Sequence, residues 1–98
     1  MANYALYVPL KAKAGKEKDV EAFLAQGAKL AKEEMGTVTW YGLKEGEGRY
    51  SVFDTFDNEA GQEAHLSGQI ALALKANWSA LFEGELHINK IEILAEKA

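Results

Sequence analysis

The chain has 98 residues, room for one modest hydrophobic core, so residues 1–98 are read as a single domain. Apolar residues make up 48% and charged residues 27%, which excludes a disordered tail or a low-complexity repeat. Fifteen acidic residues against 11 basic ones give a net charge of −4, a field that repels phosphate, and the lack of cysteine removes any disulfide framework or thiolate nucleophile. The start MANYALYVPLKAK lacks the basic-then-apolar pattern of a signal peptide, and no apolar run reaches bilayer length, so the expectation is a cytoplasmic protein with no membrane partner.

Residues 4 to 13 alternate at strand period, with Tyr4, Leu6, Val8, Leu10 and Ala12 on one side and Ala5, Tyr7, Pro9, Lys11 and Lys13 on the other. Pro9 removes a ladder donor, which predicts an edge position or a bulge. After a turn at Ala14-Gly15, Val20, Phe23, Leu24, Gly27, Leu30 and Ala31 recur at helical steps from Lys16 to Met35, and Gly36 is the predicted stop.

Thr37 to Lys44 and Arg49 to Phe56, joined by Glu45-Gly46-Glu47-Gly48, form a predicted hairpin. Asp57 or Asn58 then caps a short helix from Glu59 to Leu66. Ser67 is placed to cap another helix, carrying Ile70, Leu74, Trp78, Leu81 and Phe82 on one stripe and stopping at Gly84. The chain closes on a fourth strand, Leu86 to Leu94, where His87, Asn89, Ile91 and Ile93 oppose Ile88, Lys90 and Glu92.

The order β-α-β-β-α-β predicts an α+β, ferredoxin-like sandwich, an antiparallel sheet with helices on one face. Its other face would carry Tyr7, Thr39, Tyr41, Leu43, Phe53 and Ile91, too much apolar surface for water alone. In RNA-recognition domains such a face stacks bases, but RYSVFDTF puts Ser51 where a ring belongs and Asp54 where valine belongs. With the acidic balance, this favours a second copy of the chain over nucleic acid as the cover.

Four segments, KAKAGKEKDVEAFLA, EEMGTVTWYGL, YSVFDTFDNEAGQEAHLSGQIALAL and the final strand, cover nearly the whole chain and resemble the antibiotic biosynthesis monooxygenase family of dimeric α+β barrels. The most specific part is FDTFDNEAGQEAHLSG. The resemblance implies a homodimer with sheets packed face to face, and a cofactor-independent monooxygenase that oxidises a quinol, phenolic or polyketide-like aromatic with dioxygen. It further implies a pocket between sheet and helices. Heme-degrading relatives use an asparagine, a tryptophan and a histidine at places that here hold Val8, His65 and Lys75, so the resemblance does not extend to heme.

On the helix side the period of two places Val8, Val38, Trp40, Tyr50, Val52, Asp54 and Phe56. A carboxylate there needs a partner. His65 lies on the short helix, and the expectation is that Asp54 orients His65 while His65 takes a phenolic proton, with Trp40, Tyr50, Val8 and Phe56 as substrate-binding wall. The alternatives are a histidine bonded only to a backbone carbonyl or water, and an Asp54 that meets water or a lysine. No flavin signature is present and His65 and His87 form no ligand set by spacing, so no cofactor and no metal is expected. Two other functions fit the same pocket: a non-catalytic dimer that binds a small molecule, and a proton-abstracting isomerase or lyase.

Overall fold

The computed structural model describes residues 2–97. Its elements are β1 (Tyr4–Lys11), α1 (Glu17–Ala31), β2 (Thr37–Gly46), β3 (Arg49–Phe56), α2 (Glu59–Leu66), α3 (Gln69–Leu81) and β4 (Asn89–Glu92). The four strands make one antiparallel sheet in the order β2-β3-β1-β4, the ferredoxin-like arrangement that the sequence pattern predicts. Among the described residues no helix is long and apolar enough to cross a membrane.

Strand register separates the two faces. On the helix side Leu6 pairs with Asp54 and Asp54 with Trp40, while Val8 pairs with Val52. Leu6, Val8, Leu10, Tyr50, Val52 and Phe56 are buried there. On the other side run the rows Ile91–Ala5–Thr55–Thr39 and Asn89–Tyr7–Phe53–Tyr41. Tyr41, Leu43 and Ile91 on that face are 52%, 40% and 38% exposed, so the apolar surface is real and uncovered within one chain.

Helix α1 buries Val20, Leu24, Gly27 and Ala31, one stripe at helical spacing. Gly27 is required by a close approach: a Cβ there would lie 2.9 Å from Cη2 of Trp40. Helix α2 starts where Asn58 accepts a hydrogen bond from the Gly61 amide at 2.9 Å. Helix α3 buries Ile70, Ala71 and Leu74, and its end is stitched to the end of β1 by the Ala12–Phe82 bridge.

Several expectations need correction. Helix α1 stops at Ala31 rather than beside Gly36, and residues 32–36 form turns instead. Val38 is 50% exposed rather than facing the helices, because β2 bulges between Thr37 and Thr39 and the alternation restarts there. Ser67 does not cap α3; its hydroxyl donates to the Ala64 carbonyl at the end of α2, and Gly68 occupies the cap. Strand β1 is interior, yet β4 pairs only with Tyr4 to Tyr7, so Pro9 sits where β1 has become a local edge. Strand β4 itself is four residues long, shorter than its apolar pattern predicts.

Candidate active site

Sheet and helices enclose a cavity of about 30 Å³ lined by Leu6, Val8, Phe23, Trp40, Val52, Asp54, His65, Leu66, Ile70, Ala71, Leu74 and Ile88. Its polar side chains are few and adjacent. Asp54 enters from the middle of β3 because register points it to the helices, and it is 1% exposed. His65 enters from the last turn of α2 and is 7% exposed. Its Nε2 lies 2.8 Å from Asp54 Oδ2. This is a charge contact, for neither Asp54 oxygen has an in-line hydrogen-bond donor.

The opposite ring nitrogen meets a residue that the sequence reading missed. His65 Nδ1 lies 2.5 Å from Glu34 Oε1, and the Thr37 hydroxyl donates to the same oxygen at 2.9 Å. A carboxylate can only accept, so Nδ1 carries the proton of this bond. Both ring nitrogens are thus engaged, one by a deeply buried carboxylate and the other by a half-buried one. Glu34 also borders an open cleft of about 430 Å³ formed with Met35, Gly36, Gly61, Ala64 and Gly68 on the outer side of the imidazole. His65 is the partition between that cleft and the inner cavity.

Electrostatics follow from this placement. Burial pushes the Asp54 carboxyl up from the ordinary carboxylate range, and the neighbouring Glu34 charge adds to it while His65 opposes. Burial alone would pull His65 down, but Asp54 and Glu34 together more than offset it, and its pKa stands above the ordinary imidazole value. The cluster therefore holds protons more tightly than its members would in water. Because Asp54 and Glu34 sit on opposite ring nitrogens, they do not converge on one ion, and among the described residues no group of three histidine or acidic side chains could hold a metal.

Of the six residues expected at the site, Asp54, His65, Trp40 and Val8 meet at the one cavity. Tyr50 and Phe56 do not line it. Tyr50 is four residues before Asp54 on β3, and its hydroxyl donates to Glu21 Oε2 at 2.6 Å, which drives the phenol up to about 12. Phe56 is two residues after Asp54 and meets the imidazole in a tilted contact, ring centroids 5.4 Å apart. Trp40 does line the cavity, and its indole Nε1 is buried without a partner.

A ferredoxin-like sheet with a proton-holding cluster at its inner face defines the class. No family model matches the chain, and no curated protein matches it. Among solved structures, the NE2512 protein of unknown function from Nitrosomonas europaea is 47% identical over 100% of this chain and 95% of its own, with a TM-score of 0.95. The chain belongs to one family with NE2512. Its fold is shared more widely: with Rv0793 from Mycobacterium tuberculosis at 13% identity, TM-score 0.86, over 99% of this chain and 100% of that one. It is shared also with a "putative antibiotic biosynthesis monooxygenase" from Caulobacter crescentus at 18% identity, TM-score 0.80, over 96% and 92% of the two chains.

Proposed function

We propose that the protein is a cofactor-independent monooxygenase of the antibiotic biosynthesis type, in which the Asp54–His65–Glu34 cluster takes the proton of a phenolic or quinol substrate and dioxygen oxidises the resulting anion. The observation that carries this reading is the imidazole clamped between two carboxylates at the wall of an otherwise apolar cavity. An electron-rich phenolate can pass an electron to dioxygen, and C–O bond formation followed by loss of water leaves a carbonyl. The balance is that of a phenol or quinol with a free ring C–H giving an oxygenated quinone and water: one oxygen atom enters the product and the other leaves as water. The protein need supply only a base, a dry site and a place for dioxygen.

The cavity has room for about one water-sized or diatomic guest. An aromatic ring therefore requires α2 and α3 to move away from the sheet. That size favours a second reading, proton abstraction from a smaller carbonyl compound by the same cluster, as in an isomerase or lyase. We further propose that the chain works as a homodimer through the face bearing Tyr7, Tyr41, Leu43, Phe53 and Ile91. The support is the uncovered apolar surface of that face, together with the acidic balance of the chain, which disfavours a nucleic acid as the cover.

Oxygen uptake with a panel of hydroquinones tests the first reading. Consumption that depends on protein and falls 10²–10⁴-fold when the cluster is broken by His65→Ala, about the weight of general-base catalysis, supports it. Oxygen-independent deuterium exchange into a carbonyl compound would move the assignment to an isomerase. Tight binding with neither reaction would make the protein a carrier.

A further inference from the structure

We infer that Asp54 Oδ1 and Trp40 Nε1 form the subsite for the substrate's hydroxyl group, with Asp54 rather than His65 as the atom-level proton acceptor. This deepens, and rests on, the reading of the cavity as the site of proton abstraction.

His65 has no free nitrogen to offer a guest. Its Nδ1–H is given to Glu34 and its Nε2 faces Asp54 Oδ2 at 2.8 Å. Asp54 has the opposite character: it is 1% exposed, it lines the cavity, and Oδ1 has no partner at all. A buried carboxylate oxygen left bare costs free energy unless a ligand completes it. Trp40 is the direct cross-strand neighbour of Asp54 on β2, a relation that brings the two Cβ atoms to roughly 5 Å. Trp40 lines the same cavity, and its indole N–H is buried and unpartnered. An unfilled acceptor beside an unfilled donor is the complement of one hydroxyl group, which donates one hydrogen bond and accepts others.

In the step this implies, the substrate O–H bond breaks and an O–H bond forms at Asp54 Oδ1. His65 keeps its Nε2 proton as imidazolium, and the Glu34 carboxylate balances that charge through Nδ1–H. The nascent phenolate keeps the Trp40 hydrogen bond. Glu34 and His65 are positioning residues in this scheme. Their order mirrors a triad in which an acid orients an imidazole and the imidazole serves a third group that meets the substrate.

The probe is 4-nitrophenol, whose visible absorption reports whether it is bound as phenol or phenolate, so no turnover is needed. In the wild type, transfer of its proton to Asp54 should give the bound probe the absorption of the phenolate. Asp54→Asn, with no carboxylate to receive the proton, should make it ionise about tenfold less readily, one pH unit higher, and Trp40→Phe should weaken phenolate binding several-fold. His65→Gln should change the probe's ionisation less than Asp54→Asn does. Ionisation that follows His65→Gln and ignores Asp54→Asn would overturn the assignment while leaving the cavity as the site. Failure of the probe to bind any of these proteins would overturn both.

Discussion

The backbones of Gly36 and Gly61 are in contact: a Cβ on Gly61 would stand 2.8 Å from the Gly36 carbonyl oxygen, and one on Gly36 would stand 3.0 Å from Gly61 Cα. This approach presses the turn after α1 against α2, and it is what sets Glu34 beside His65. Gly68 completes the seat, because a Cβ there would lie 2.8 Å from Glu34 Oε2.

Gly61→Ala therefore reverses the usual rule. In a helix interior the change ordinarily stabilises by about 1 kcal/mol. Here overpacking against a carbonyl should outweigh it and leave a net loss of roughly 1–3 kcal/mol. Urea unfolding measures the difference, and a variant more stable than wild type would show that the glycine contact is dispensable.

The cluster also makes stability depend on pH. Asp54 and His65 both bind protons more tightly in the folded chain than in the unfolded one. Each contribution is complete below the unfolded value and disappears as pH rises through the folded value, so stability declines on going alkaline. For His65 this window opens above its ordinary 6.5. Among the described residues only Asp54 and Glu34 face the ring as charged groups, so Glu34→Gln should lower the His65 titration midpoint seen by NMR and flatten the fall of the urea midpoint between neutral and alkaline pH. Equal slopes for the two proteins would remove Glu34 from the electrostatics of the site.

Self-association through the open face gives a direct size measurement. Tyr41 and Phe53 are cross-strand neighbours at its centre, so Phe53→Arg places a guanidinium where a dry contact between two sheets is proposed. Light scattering should give twice the chain mass for the wild type and the single-chain mass for Phe53→Arg. A wild-type protein that scatters as one chain in dilute solution ends the dimer proposal.

The sheet, the order of elements and both ends of α2 were legible in the sequence because each has a local cause: alternation in RYSVFDTF, the Asn58 cap, and turn glycines such as Gly48 and Gly84 at positive φ. Asp54 and His65 were legible as a pair because a carboxylate at an inward strand position is conspicuous against valines and aromatics. Glu34 was not. Lys32-Glu33-Glu34 reads as one more solvated turn of α1, whereas the helix ends at Ala31 and the side chain turns inward. The local signs were the Thr37 hydroxyl three residues on and Gly36 between, but the deciding contact with Gly61 is long-range. Val38 was misplaced by a bulge that strand period cannot reveal, and Tyr50 by the reach of a long side chain toward Glu21.

Cavity size is likewise set by how α3 seats on the sheet, and that seating can be altered deliberately. Leu74 is buried on α3, belongs to the core with Val8 and Val52, and lines the void. Leu74→Ala should cost about 2–5 kcal/mol, the usual range for removing a buried leucine. The enlarged space, which approaches the volume that admits benzene in other cores, should then accept a small aromatic without helix displacement. Phenol or benzene should accordingly raise the Tm of Leu74→Ala by more than that of the wild type, by mass action on the folded state. Equal shifts for the two proteins would mean that these ligands bind elsewhere, and the space between Asp54 and α3 would lose its claim as the aromatic site.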